Sequence, residues 1–67
     1  MKILLNNNEE NFEVASMTVT EMLEIKRFTY KLRIIKINGN LIAREDYDNT
    51  SISEGDNVQM LYLMSGG

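Results

Sequence analysis

The chain contains no cysteine and no histidine. The first absence excludes disulfides and thiolate chemistry. Together the two remove the usual ligands of zinc and iron. Without histidine the commonest general base is missing as well. A cysteine-free chain fits a reducing cytoplasm, and cytoplasmic localisation is the expectation. Long hydrophobic runs are also lacking. None approaches the ~20 residues that a membrane helix needs, so no membrane partner is expected. No signal peptide is expected either, because the polar run from Asn6 to Glu10 interrupts the short apolar start. Positive charge is in deficit: seven Lys and Arg stand against ten Asp and Glu, a net charge of -3. That balance does not suit a nucleic-acid partner.

What is there fits one small domain of 67 residues. A chain this short buries only ~60% of its unfolded surface, which leaves little stability to spare for a buried catalytic cleft. The first five residues alternate, with Met1, Ile3 and Leu5 on one face and Lys2 and Leu4 on the other. They predict strand one. Asn6 to Glu9 reads as a turn, because Asn tolerates positive φ and bonds its own backbone. Phe12 and Val14 flank Glu13 at period two, predicting a second strand over 11–15 and a hairpin.

Thr18-Val19-Thr20-Glu21 is a capping-box pattern. Val19, Met22, Leu23 and Lys26 follow helical spacing behind it, which predicts a helix over 19–27. Glu21 and Glu24 sit early and Lys26 and Arg27 late, as the helix dipole favours. Residues 28–31 read as either helix or connection. The β-branched run 32–37 predicts a central strand. Asn38-Gly39 follows as a strong short hairpin signal, with 41–43 as the return strand. Residues 44–49 suit a 3₁₀ turn or a loop, and Thr50-Ser51-Ile52 a brief pairing. Glu54-Gly55-Asp56 reads as a tight turn before a last strand over 57–63. In that strand Val58, Met60 and Tyr62 share one face, and Gln59, Leu61 and Leu63 the other.

A hairpin followed by a helix and further strands points to an α+β fold with the helix across one sheet face. Parallel pairing of the first and last strands would make this the β-grasp arrangement, with a mixed sheet of four to five strands. The long middle of the chain supplies the crossover that parallel strands need. The expected organisation is a folded domain over 1–63 and a flexible Gly-Gly tail over 64–67.

The chemistry is expected in that tail, Ser65-Gly66-Gly67. At an average usage of ~7%, two glycines fall at an end by chance about 0.5% of the time. Composition alone is therefore a poor account of the pair. Glycine has no Cβ, so such an end can thread a narrow channel and carry a carboxylate into an enzyme's active site. The Gly67 carboxylate is unhindered and ionised at neutral pH. In a partner's site it can attack the α-phosphate of ATP and become an acyl-adenylate, from which a sulfur nucleophile displaces AMP. The plain alternative is a frayed end with no role. Its position directly after a strong final strand argues against that alternative.

Several further groups carry less. On the sheet face away from the helix, Leu4, Gln59, Leu61 and Leu63 form a candidate partner-binding patch beside the tail. Met64 is a candidate for insertion into a partner pocket. Lys26, Arg27, Lys31 and Arg33 read as solvated charge, and Arg44 as a surface charge. Glu45, Asp46 and Asp48 lack the spacing and closing Glu of an EF-hand loop, so no metal is expected there.

A resemblance joins these features. Ile35-Lys36-Ile37-Asn38-Gly39-Asn40-Leu41-Ile42, then Arg44, then Glu54-Gly55-Asp56-Asn57-Val58-Gln59-Met60-Leu61 and the closing Gly66-Gly67 resemble the ThiS family. Those are ubiquitin-like sulfur carriers of thiamine thiazole synthesis. The opening Met1-Lys2-Ile3-Leu4-Leu5-Asn6 and the helix start Thr18-Val19-Thr20-Glu21-Met22-Leu23 fit the same pattern, so the resemblance covers nearly the whole chain. Tyr47 stands where the family often has Trp, and Asn7-Asn8 stands in for a more usual Asn-Gly.

The resemblance implies a covalent cosubstrate with no active site and no bound cofactor. An E1-like adenylyltransferase of the ThiF type would adenylate Gly67 with Mg-ATP. A cysteine desulfurase or other source would supply sulfur, and Gly67 would become a thiocarboxylate. A thiazole synthase of the ThiG type would take that sulfur. The related MoaD family of molybdopterin-synthase small subunits shares fold and tail. Other readings remain open: a carrier for molybdopterin or another route, a modifier joined to a target lysine, or a non-covalent ubiquitin-like interaction module.

Overall fold

The computed structural model describes residues 1–27 and 33–62. Strands β1 (Lys2–Leu5) and β2 (Asn8–Asn11) form the first hairpin, followed by β3 (Ser16–Thr18) and helix α1 (Val19–Ile25). Then come β4 (Arg33–Ile37), β5 (Asn40–Ile42), a 3₁₀ turn (Arg44–Asp46), β6 (Ser51–Ser53) and β7 (Asn57–Tyr62). The main sheet has the order β2-β1-β7-β4-β5, and β3 with β6 forms a separate antiparallel ribbon. β1 and β7 pair in parallel, with Leu4 beside Asn57 and Leu5 beside Val58. The fold is the β-grasp arrangement that the element order predicted, with β7 as the central strand and β4 beside it.

Two-residue turns close both hairpins. Asn38 and Gly39 have φ of 51° and 85°, the left-handed pair that matches the twist of the flanking strands. The first hairpin does the same with Asn6 (φ 52°) and Asn7 (φ 69°), asparagine being the residue that enters this region most readily after glycine. This moves the second strand. It occupies Asn8–Asn11, where 11–15 was predicted from Phe12 and Val14. Leu5 faces Asn8 directly, so the turn is complete two residues earlier than its polar composition implied. Phe12 is buried beyond the strand, while Val14 is 42% exposed in a bend.

The helix begins as the capping box predicts. Thr18 Oγ1 accepts from the Glu21 amide at 3.1 Å, and Glu21 Oε1 accepts from the Thr18 amide at 2.8 Å. Two further free amides of the first turn are taken by the neighbouring loop: Val19 donates to the Thr50 carbonyl and Thr20 to the Tyr47 carbonyl. Replacing Thr18 by alanine removes one half of the box and should destabilise the domain by about 1 kcal/mol. Urea denaturation of the two proteins measures it, and an unchanged midpoint would contradict the role given to this cap.

The helix is shorter than the predicted 19–27. It ends at Ile25, Lys26 caps it, and Arg27 turns left-handed at φ 57° with its amide on the Glu24 carbonyl. Lys26 pairs with Glu10 of β2 at 3.1 Å, which ties the helix end to the sheet edge. The ambiguous stretch 28–31 and the predicted start of the fourth strand at Leu32 lie outside the described residues. β5 sits one residue earlier than the predicted 41–43.

One core fills the space between helix and sheet. Val19, Met22 and Leu23 from α1 meet Ile3, Leu5, Ile35, Ile37, Val58 and Met60 from the sheet, all buried. Phe12 beyond β2, Met17 and Ile52 of the ribbon, and Tyr47 from the polar stretch 44–49 complete it among the described residues. Among the described residues no helix is long and apolar enough to cross a membrane.

Candidate functional site

The site is built outward from β7. Its described part is held along one side by β4, from Val58 facing Ile37 to Leu61 facing Ile34 and Tyr62 facing Arg33. The other side is held by β1 and then by a side chain. Where β1 ends, the Asn6 amide donates to the Val58 carbonyl at 2.9 Å, and Asn6 Oδ1 accepts from the Met60 amide at 2.8 Å. A single asparagine thus forms the turn and continues the pairing of the central strand beyond β1. The segment that leads toward Gly67 therefore starts from a strand secured on both flanks.

Period-two alternation divides β7 by face. Val58 and Met60 point into the core, whereas Leu61 is 49% exposed on the far side and Gln59 half-buried. Cross-strand partners share a face, so Ile34 stands beside Leu61 and Lys36 beside Gln59. Leu41 of β5 lies opposite Lys36 and is 66% exposed. At the end of β4 that faces Tyr62, the Arg33 guanidinium carbon lies 5.6 Å from the centre of the buried Tyr47 ring. That spacing suits a cation–π contact. The outer face next to the end of β7 is thus an apolar pair, Leu61 and Ile34, bordered by Gln59, Lys36 and Leu41.

The ThiS family pattern matches residues 3–67. The chain belongs to the ThiS family. Two solved structures share its fold over the whole chain. A crystal structure of thiamine biosynthesis protein ThiS from Geobacter metallireducens is 30% identical, covers each chain in full and gives a TM-score of 0.90. An NMR solution structure of a thiamine biosynthesis protein from the same organism is 32% identical, covering 100% of this chain and 88% of that one at a TM-score of 0.80. No curated protein matches at a significant level. Membership supports a sulfur carrier in thiamine biosynthesis.

Within this ThiS-family domain the predicted site residues fall into two groups. Ser65, Gly66 and Gly67 lie outside the described residues, as do Leu63, Met64 and the predicted domain boundary between them. Leu4, Gln59 and Leu61 are all described and all sit on the sheet face away from the helix, as predicted. They do not form one compact cluster. Leu4 is level with Asn57, four residues back along β7 from Leu61, or roughly 13 Å at strand rise. Glu9 of the edge strand faces it across the hairpin.

Ile34 and Leu41 take the places nearer Leu61, and neither was among the predicted residues. Both were within reach of the sequence. If Ile35 and Ile37 point inward, Ile34 must point outward, and a two-residue turn at Asn38-Gly39 places Leu41 opposite Lys36. Of the acidic trio weighed as a cation site, Asp48 is engaged by the Thr20 hydroxyl, a contact between the loop and the helix start.

Proposed function

We propose that this chain carries sulfur as a thiocarboxylate on Gly67 for thiazole formation in thiamine biosynthesis. The observation that carries the reading is the family match, which spans the β-grasp body and the Gly66-Gly67 end together. An E1-like adenylyltransferase of the ThiF type joins a Gly67 carboxylate oxygen to the α-phosphorus of ATP, and pyrophosphate leaves. The mixed anhydride makes the acyl carbon open to attack, which a bare carboxylate is not. A sulfur nucleophile, supplied through a cysteine desulfurase or another source, adds to that carbon, and AMP leaves. A thiazole synthase of the ThiG type is the acceptor. Mg-ATP belongs to the partner's site, and the chain is the substrate of each step.

The body's part is recognition. Leu61 and Ile34, with Gln59 and Leu41 around them, give the partner an apolar face beside the strand that delivers the tail. Leu63 and Met64 continue toward Gly67, and Leu4 extends the same face at its other end.

Intact mass tests the reading. After incubation with the adenylating partner, Mg-ATP and a sulfur source, the chain should gain ~16 Da, as sulfur replaces one oxygen at the activated acyl carbon. A covalent adduct with a protein lysine would instead make it a modifier, and no change at all would leave an interaction module. A molybdopterin-type carrier gives the same gain, so rescue of a thiamine-requiring strain separates the two pathways.

The recognition surface carries its own prediction. Leu61→Glu puts a charge where the partner must exclude water and should weaken binding to the adenylating enzyme at least roughly tenfold. Melting temperature should stay near that of the parent, because the side chain is on the solvent face. Titration calorimetry reads the first, and thermal denaturation the second. Parent-like affinity would remove Leu61 from the interface.

A further inference from the structure

The turn between β4 and β5 holds the one Asn-Gly pair of the chain, Asn38-Gly39. Such a pair can react with itself. Glycine has no side chain to shield its backbone nitrogen, which can attack the carboxamide carbon of the asparagine before it. Here the carboxamide is turned toward β7. Asn38 Oδ1 accepts from the Asn57 amide at 2.9 Å, and Nδ2 donates to Asp56 Oδ1 at 3.1 Å. The Asn38 amide also donates to the Asn57 carbonyl at 2.8 Å. Both polar ends of the side chain must leave these partners before its carbon can swing to the Gly39 nitrogen.

We infer that Asn38 is a fold-gated deamidation site, closed by Asp56 and Asn57 in the intact sheet and opened when the β4–β5 turn parts from β7. In the reaction the Gly39 nitrogen bonds to Asn38 Cγ. The Cγ–Nδ2 bond breaks and ammonia leaves, taking the amide proton, so a cyclic imide remains. Water then opens the ring at either carbonyl carbon. One opening gives aspartate, and the other isoaspartate, whose main chain runs through the former side chain. Water is the sole co-reactant, and nothing is oxidised or reduced.

The product does not fit the place it left. A carboxylate at 38 can still accept from the Asn57 amide, but it has no proton to give Asp56. It sets a negative oxygen against the oxygen that Nδ2 had bonded, and like charges at that range repel. Asp56 is not free to turn aside, because its Oδ2 accepts from the Ser53 amide at 2.9 Å. Isoaspartate is worse, since it lengthens the main chain in a turn of only two residues, both left-handed. A chain that has once opened and reacted is therefore biased to open again. The turn is at the far end of the sheet from Tyr62, since Ile37 faces Val58 while Arg33 faces Tyr62. The mark therefore forms at the end of the sheet away from Tyr62.

The full chain is held at mildly alkaline pH, one portion folded and one unfolded in urea, and product at Asn38 is followed by peptide mass mapping. The folded portion should react at least roughly tenfold more slowly, since reaction waits on opening of the turn. Equal rates, or no product in urea, would overturn the gate. In a second arm Asn38→Asp should lower the melting temperature, and adding Asp56→Asn should recover most of the loss. If the single variant melts with the parent, or the second substitution repairs nothing, the repulsion is not what makes the mark one-way.

Discussion

Removing Gly67 is expected to abolish thiocarboxylate formation while leaving the body folded. The shortened chain still ends in a glycine carboxylate, so charge and chemical class are unchanged. What changes is reach: the reacting carbon sits one residue back, about 3.5 Å nearer the body. A displacement of even 1 Å from attack geometry can cost roughly a hundredfold in rate. In the proposed function the body docks through its sheet face, and sliding forward to make up the distance would give up those contacts. Sulfur uptake should therefore fall by at least about two orders of magnitude. Intact mass after incubation with the adenylating partner, Mg-ATP and a sulfur source reads it. Thermal denaturation should find no change, because among the described residues every member of the buried core lies at or before Met60. Sulfur loading at the parental rate would sink the proposed function outright.

Ile35→Ala should have the largest effect on stability. Ile35 is 0% exposed, and its neighbours across β4 are Met60 on one side and Ile42 on the other. It stands where the central strand, its neighbour and the helix layer meet, so little around it can collapse into the space left. Truncating a buried isoleucine typically costs about 2–5 kcal/mol. A loss of about 3 kcal/mol lowers the melting temperature of a domain this small by roughly 10–25 °C. Ile34→Ala is the control. It is one residue away, has the same chemistry and faces the other side of the sheet. Its cost should stay below about 1 kcal/mol, the range of substitutions outside the core. Calorimetry of both variants checks the pair, and similar losses would mean that the two faces of β4 had been misassigned.

The elements that could be read from sequence were those whose signal is local. The Thr18–Glu21 box works through atoms three residues apart, and the Asn38-Gly39 turn through two backbone angles. The second strand was misplaced because two local signals competed. Phe12-Glu13-Val14 alternates like a strand, yet two consecutive left-handed asparagines at Asn6 and Asn7 had already closed the hairpin. The β3–β6 ribbon was half visible. Thr50-Ser51-Ile52 reads as a brief pairing, and β6 is Ser51–Ser53, but its partner, Ser16–Thr18, is short and runs straight into the helix cap. Tyr47 was hidden within a polar run, though a lone aromatic among charges is itself a hint of burial. At the candidate site, alternation correctly put Leu4, Gln59 and Leu61 on one face. It did not say that Leu4 lies level with Asn57, four residues back from Leu61, because that depends on the parallel register of β1 against β7, set by strands far apart in sequence.

That parallel register has a consequence for how the molecule is made. During synthesis the two hairpins, β1–β2 and β4–β5, are complete long before β7 exists, and neither has the other as a neighbour in the sheet. Only the last-synthesised strand fits between them. Closing the sheet therefore waits until Asn57 to Tyr62 have cleared the ribosome, and contacts between such distant segments form slowly. A chain that stopped between β5 and β7 would hold two hairpins not united in one sheet, and it would lack both Leu61 of the proposed docking face and Gly67, so on the proposed function such fragments would not compete for the adenylating enzyme.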